Sequence, residues 1–402
     1  MKKMDNKIKN KIRMTKEFVI QNVPFYRDKV SLVNFDSPDF SEFPVIQKQD
    51  LRDSPELFLS NKENLIPEYT SGSTGFPLTL YKTKTEMMRL EAFLIRERKK
   101  AVKDFEKLKL IKFYAELHTG ENRCYEKIYR ENNILYLSML HMDVQSFEEY
   151  IQAIENEVTD GGWIMGPPSV ISRFAQYVCD TDRVLAKIKF VEFTGELLNE
   201  YQRNVTKKAF DCVIRNHYGS REFWCIAYEC ECGNMHILEN NVYVENSENG
   251  LLVSLLGKHT MPLIRYRVGD NCHVSDRKCS CGNNAPILET FSGRTTDFIV
   301  TPYGNEVSSI LIYMIIVNLN LLYSDIIQQF KVIQKSVDSF DLYAVLSDRQ
   351  SQTDELEQYF LSQFESILGY TATVTFHYVK DIPVDFKTGK LKYFVSLLKK
   401  EG

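Results

Sequence analysis

The sequence predicts an α/β protein: a large N-terminal α/β domain followed by a small, mobile α+β C-terminal lid. Three observations predict it. Strand-like and helical segments alternate from Asn64 to about Arg294, as expected for buried strands joined by crossover helices. The remaining stretch changes to a hairpin, a helix and a further strand, a unit of about 100 residues that can hold its own core. The chain has 402 residues, 44% hydrophobic and 26% charged, enough globular sequence for two or three domains.

The elements follow in order. Residues 1 to about 60 read as helical and irregular, with a turn-prone stretch at Asp53-Ser54-Pro55. The basic start, Lys2 to Arg13, carries Ile8, Ile12 and Val19 as an apolar stripe. Its charges are therefore the solvated face of a helix rather than a nucleic-acid or membrane arm. Strands are predicted at Pro77–Tyr81, Leu110–Tyr114, Ile134–Leu137, Gly162–Met165, Phe190–Phe193 and Cys212–Asn216. Helices are predicted at Thr85–Val102 (capped by Thr85), Phe147–Glu157, Ser169–Cys179 and Asn199–Ala209. Around Leu251–Ile264 short strands and turns take over. Phe330–Gln334 and Phe340–Leu346 form two strands across a short turn. Leu356, Phe360 and Phe364 give Thr353–Leu368 helical spacing, Gly369 is placed to stop it, and Val374, Phe376 and Tyr378 alternate as a strand. A boundary near Gly293–Asp297 divides the chain into residues 1–296 and 297–402.

A net charge of −4 does not favour a polyanionic partner, so nucleic acid is not expected. No apolar run approaches the roughly 20 residues of a membrane span, and the basic start leads into no apolar signal region. The expectation is a cytoplasmic protein without membrane insertion, with a second copy of the chain as a candidate partner.

Nine cysteines in so long a chain do not form a disulfide framework. Cys124, Cys179, Cys212, Cys225 and Cys272 stand alone and read as inert thiols. The other four make two C-x-C-G pairs, Cys230-Glu231-Cys232-Gly233 and Cys279-Ser280-Cys281-Gly282, with His236 as a fifth candidate ligand. Four of these five would close a tetrahedral zinc site, leaving no position for water, so the zinc would be structural. Buried free thiols are the alternative reading.

The most informative segment is Tyr69-Thr70-Ser71-Gly72-Ser73-Thr74-Gly75-Phe76-Pro77. Glycines let successive N–H groups converge on an anion, and hydroxyls add donors without fixed charge. The Walker spacing is absent, and alone the run reads more readily as a polar surface turn.

With the rest of the chain, that segment resembles the Ser/Thr/Gly-rich signature of the adenylate-forming acyl/aryl-CoA synthetase superfamily. The resemblance is to its phenylacetate–CoA ligase branch, including capsule-biosynthesis-type homologues. Further matching stretches occur in the family's order: Val23-Pro24-Phe25-Tyr26-Arg27, Pro44-Val45-Ile46-Gln47-Lys48, Gly166-Pro167-Pro168-Ser169 and Thr194-Gly195-Glu196-Leu197. They continue with Tyr218-Gly219-Ser220-Arg221-Glu222, Pro262 to Asp270, Gly293-Arg294-Thr295-Thr296-Asp297 and Gly389-Lys390.

The resemblance implies an AMP-forming acid–thiol ligase. A small aryl or short acyl carboxylic acid attacks the α-phosphate of ATP, expelling pyrophosphate, and the acyl group of the adenylate then passes to the thiol of coenzyme A, releasing AMP. A carrier-protein thiol or an amine is the open alternative acceptor, and a catalytically inactive zinc-containing binding protein the rival reading. Carboxylate and triphosphate repel, so charge must be neutralised and the geometry held. Glu222 matches the Mg²⁺-binding carboxylate, and Asp270 the aspartate that accepts from both ribose hydroxyls. Arg294 matches the arginine near ribose and phosphates. Residues Thr70, Ser71, Gly72, Ser73, Thr74 and Gly75 would cradle phosphate. Glu196, Tyr218 and Ser220, with Gly195 and Gly219 beside them, would line the adenine side. Lys390 matches the lid lysine of the adenylation step, and Asp297 the hinge. The sequence departs from the family at Phe76, where many relatives carry lysine, and at Arg221 and Val268, where threonine is common. Arg221 is the candidate replacement for the missing charge.

Overall fold

The computed structural model describes residues 5–398, apart from 31, 70–77, 115–116, 120–121, 125, 140, 196–197, 199, 249, 293–297, 324–325, 347–352, 381 and 383–392. Its centre is a ten-stranded sheet. The strands Val213–Tyr218, Ile188–Thr194, Gly162–Gly166, Lys109–Tyr114 and Ile134–Ser138 lie parallel and adjacent in that order. Antiparallel strands flank them: Ile128–Glu131 on one side, and Ala227–Glu229, Met235–Ile237, Ile287–Ser292 and Asn271–Ser275 on the other.

The parallel core follows from the alternation in the sequence. Helices Val144–Glu157, Pro168–Asp180 and Glu200–Phe210 connect successive strands. Phe147, Ile151, Phe174 and Phe210 bury against Ile111, Phe113, Val191 and Phe193 on one face of the sheet. Helix Lys84–Ala101 serves the opposite face, where Phe105, Trp163 and Phe190 form a smaller cluster. Its cap differs from expectation: the Thr83 hydroxyl, not Thr85, accepts from the Glu86 N–H at 3.3 Å, so the helix begins one turn position earlier.

A separate cluster joins the N-terminal helix Asn6–Asn22 to the three-stranded sheet Val242–Ser247, Gly250–Leu255 and Tyr266–Arg267. Ile8, Ile12 and Val19 are its buried stripe, as the periodicity requires. Glu86 adds a polar pin: it bonds His259 Nδ1 at 2.7 Å and accepts from the Thr260 N–H at 3.0 Å.

At the C-terminus, Ile327–Ser336 and Ser339–Leu346 pair as the expected hairpin. Helix Thr353–Leu368 then carries the chain to Thr373–Tyr378, parallel to Ser339–Leu346, and Phe394–Ser396 pairs on the far side. Helix Ile310–Leu322, which the sequence reading did not find, is apolar around its circumference and lacks the contrast between faces that marks a surface helix. Leu311, Ile312 and Ile315 belong to the same cluster as Phe174 and Phe360, so apolar packing is continuous from the large sheet's helices into the C-terminal sheet. Arg173 crosses that contact: its guanidinium donates to the carbonyls of Ile367 and, at 3.1 Å, Ser366 at the end of Thr353–Leu368. The expected boundary at residues 296 and 297 lies outside the described residues.

Candidate active site and cysteine–histidine cluster

In a parallel sheet, ligands bind at the carboxyl ends of the strands. Here those ends are Tyr114, Gly166, Thr194 and Tyr218, followed by the motifs Gly166-Pro167-Pro168, Gly195 and Tyr218 to Glu222. Gly195 is exposed just past its strand, with left-handed backbone (φ 89).

The turn after Tyr218 is closed by its own backbone. Trp224 N–H donates to Ser220 O at 2.7 Å, and Trp224 itself takes a left-handed conformation (φ 61), uncommon for a bulky residue. A Cβ on Gly219 would stand 1.8 Å from the Trp224 carbonyl oxygen, so no other residue fits there. This turn brings forward four expected site residues. Tyr218 donates to Asp270 Oδ2 at 2.6 Å, although the two are 52 positions apart. The half-buried Glu222 accepts from Tyr266 at 3.2 Å. The Ser220 hydroxyl is buried with no hydrogen-bond partner among the described residues. A hydroxyl in that state, beside a carboxylate, suits an oxygen-rich ligand.

Residues Thr70, Ser71, Gly72, Ser73, Thr74 and Gly75 lie outside the described residues, as do Glu196, Arg294, Asp297 and Lys390. The strands on either side of the hydroxyl run are described, Ile66–Tyr69 paired with Thr79–Lys82. They are pinned to the turn by residues the sequence reading missed. Lys82 Nζ pairs with Glu68 at 2.5 Å, both nearly inaccessible, and donates to Arg221 O at 2.8 Å. Trp224 Nε1 donates to the same Glu68 oxygen at 3.3 Å, and Arg221 lies 3.8 Å from its partner oxygen. The only sequence signal was an acid and a lysine flanking the loop. A second network lies deeper. Arg98 holds fully buried Glu192 at 2.9 and 2.7 Å, and Tyr228 donates to it at 2.7 Å.

The cysteine pairs converge. Cys230, His236, Cys279 and Cys281 offer ligand atoms that all lie within 4.8 Å of one another, a group able to hold a metal ion and compatible with zinc. Cys232 is exposed and 3.1 Å from the Ser280 hydroxyl, so it is the one of five candidates left out. Both pairs use the same turn. Gly233 N–H donates to Cys230 O and Gly282 N–H to Cys279 O, and the left-handed glycines (φ 76 and 78) explain each C-x-C-G. His236 Nδ1 donates to Ala285 O at 3.0 Å, which directs Nε2 towards Cys281 Sγ at 3.4 Å. The Cys281 N–H, then His236, bring Cys279 down to about 5. Burial, with its thiol neighbours, pushes Cys230 up to about 12. Bare thiols cannot all ionise together, and a cation would resolve that conflict. By contrast, Cys212, Cys225 and Cys272 are buried, and desolvation pushes their thiols upward.

Residues 299–396 match the family model of the CapK C-terminal domain. The protein CapK of Staphylococcus aureus is 23% identical across 95% of this chain and 87% of its own length. An indoleacetate–lysine synthetase of Pseudomonas savastanoi is 30% identical over 117 residues, 28% of this chain and 29% of that protein. A 2-hydroxyisobutyryl-CoA ligase crystallised with 2-HIB-AMP and CoA superposes with a TM-score of 0.61 at 15% identity, covering 98% of this chain and 89% of that one. The same ligase in an open conformation gives 0.55 at 16% identity, over 97% and 91%. The chain is homologous to CapK and to indoleacetate–lysine synthetase, and its fold is that of the adenylate-forming CoA ligases. Both findings are consistent with the phenylacetate–CoA ligase-like branch that the motifs resemble. Among the described residues no helix is long and apolar enough to cross a membrane.

Proposed function

We propose that this chain uses ATP to activate a small aryl or short acyl carboxylic acid as its acyl-adenylate, then transfers the acyl group to coenzyme A. One observation carries the reading. Lys82 and Glu68 tether the two strands that flank residues 70–77 to the Arg221–Trp224 turn. The strands that enter and leave the hydroxyl-rich run are thereby anchored beside the turn that carries Glu222, which follows the carboxyl end of strand Val213–Tyr218, the end of a parallel sheet where ligands bind.

In this proposal Asp270, aligned by Tyr218, accepts from ribose, and Ser220 supplies its otherwise unpartnered hydroxyl to the nucleotide. Glu222, with its acceptor capacity oriented by Tyr266, would hold Mg²⁺, which supplies charge neutralisation at the triphosphate. Arg221, 66% exposed and 3.8 Å from Glu68, would swing from that carboxylate towards the phosphates in place of the lysine that Phe76 replaces. Residues 297–402 act as the lid that delivers Lys390, with Asp297 as hinge. Cys230, His236, Cys279 and Cys281 would hold zinc, and such a centre would brace the segment after Glu222 against strand Ile287–Ser292.

The test is pyrophosphate exchange into ATP across a panel of aryl and short acyl acids, followed by thioester formation with coenzyme A, a carrier-protein thiol or an amine as acceptor. Acid-dependent exchange that Glu222→Gln lowers at least about 100-fold supports adenylation. A zinc-loaded, folded chain that exchanges with no acid would instead be an inactive binding homologue.

A further inference from the structure

The turn that carries Ser220 and Glu222 leaves successive carbonyls at its far end to side-chain donors. His217 Nε2 stands 2.9 Å from the Trp224 carbonyl oxygen. A carbonyl only accepts, so that nitrogen carries a proton. The Asn241 amide donates to Phe223 O at 3.0 Å and to Cys225 O at 2.7 Å. His217 belongs to strand Val213–Tyr218, and Asn241 immediately precedes strand Val242–Ser247. Two segments distant in the chain thus close on one turn.

Both donors are nearly inaccessible, 6% and 1% exposed, and each leaves its other polar atom orphaned. His217 Nδ1 and Asn241 Oδ1 are buried with no hydrogen-bond partner among the described residues. Nδ1 lies 3.8 Å from Glu192 Oε1, beyond hydrogen-bond reach, and Arg98 and Tyr228 already hold that carboxylate. Orphaned polar atoms cost free energy that an apolar side chain would not incur. The bonds to the turn are what offsets it.

The turn needs that support. Left-handed backbone at a residue as bulky as Trp224 persists only where its surroundings over-determine it. Its carbonyl oxygen is wedged between Gly219 and the imidazole: a Cβ on Gly219 would stand 1.8 Å from the oxygen and 2.9 Å from His217 Nε2. Between Gly219 and Trp224 lie Ser220, with its unpartnered buried hydroxyl, and Glu222.

We infer that His217 and Asn241 are positioning residues: by holding the carbonyls of Phe223, Trp224 and Cys225 they fix the Ser220 hydroxyl and the Glu222 carboxylate where a magnesium–triphosphate complex binds. They act through the turn and not on the nucleotide. This rests on the adenylation reading and adds to it the source of the site's rigidity.

The experiment compares wild type, His217→Leu and His217→Gln in pyrophosphate exchange at varied Mg²⁺, with melting temperature and calorimetric titration of ATP at saturating and at zero Mg²⁺. The glutamine amide can donate to the Trp224 carbonyl, and leucine cannot. His217→Leu should raise the Mg²⁺ needed for half-maximal exchange by about 10-fold, and weaken the Mg²⁺-dependent part of ATP binding as much, the order of one lost hydrogen bond. His217→Gln should restore most of both. A residue needed only for folding would lower the melting temperature and kcat while leaving the Mg²⁺ requirement unchanged. That result overturns the proposal, as does equal behaviour of the leucine and glutamine variants. If His217→Leu does not fold, Asn241→Leu, which removes the donors to Phe223 and Cys225, carries the same prediction. If no acid supports exchange, the adenylation reading falls and calorimetry decides alone. Weaker Mg²⁺–ATP binding in His217→Leu than in His217→Gln then upholds the clamp, and equal or absent binding removes it.

Discussion

Glu68 and Lys82 form an ion pair at 2.5 Å across the strands that enter and leave the hydroxyl-rich run, and Lys82 also reaches the Arg221 carbonyl at 2.8 Å. The side chains are 8% and 5% exposed. Removing one partner strands the other's charge out of water, which typically costs about 3–5 kcal/mol. Lys82→Met should therefore destabilise the chain by that order in urea unfolding. The double variant Glu68→Gln/Lys82→Met should recover part of the loss. Equal loss in single and double variants would show that the pair does not act as a unit.

Tyr218 donates to the Asp270 carboxylate at 2.6 Å. Bonds to charged acceptors are worth about 1.5–3 kcal/mol, so Tyr218→Phe should raise KM for ATP by about 10-fold or more while leaving the melting temperature nearly unchanged. Steady-state exchange at varied ATP checks this. An unaltered KM would take this pair out of the nucleotide site.

Four clustered donors complete a tetrahedral metal site, so the purified chain should carry about one zinc ion, measured by mass spectrometry. His236→Ala and Cys279→Ser should lose the metal and melt at a lower temperature. Cys232→Ser should keep it, because Cys232 lies outside the cluster. Metal loss in Cys232→Ser would reverse the choice between Cys232 and His236.

Burial alone would raise the Glu86 carboxyl, but the His259 ring and Thr260 outweigh it and bring it from an ordinary 4.5 down to about 2. A carboxyl depressed on folding contributes stability above its unfolded value and loses it as pH falls towards the folded one. Roughly 3 kcal/mol should therefore disappear between about pH 4.5 and pH 2. Glu86→Gln should flatten the dependence of unfolding free energy on pH in that window. A slope identical to wild type would assign it to other acids.

Arg173 ends in the carbonyls that close helix Thr353–Leu368, where a cation meets the negative end of the helix dipole. Burial holds its guanidinium down to about 10, still charged near neutrality. Arg173→Met should cost about 2 kcal/mol and speed amide exchange in the last turn of that helix. Unchanged protection there would mean that apolar packing alone docks the C-terminal sheet.

Much of this molecule was determined locally. Period-2 and period-3.6 patterns set the parallel strands and their crossover helices, since burying one face is a property of neighbouring residues. The C-x-C-G pairs set two identical turns because only glycine enters the left-handed region without strain. Tertiary structure decided the rest. Helix Ile310–Leu322 is apolar apart from Asn318 and Asn320 near its end, so its own sequence shows little contrast between faces to say which will be covered. Pairing of Met235–Ile237 with Ile287–Ser292 aligned His236 with Ile287 and brought it to Cys281, while Cys232, closer to Cys230 in sequence, was turned to the surface. Lys82 found Glu68 only through a strand register, and Arg98 found Glu192 only when helix Lys84–Ala101 packed on the sheet. Residue type declares what a side chain can bind, but whether a partner stands within bonding distance is settled by contacts between segments far apart in the chain.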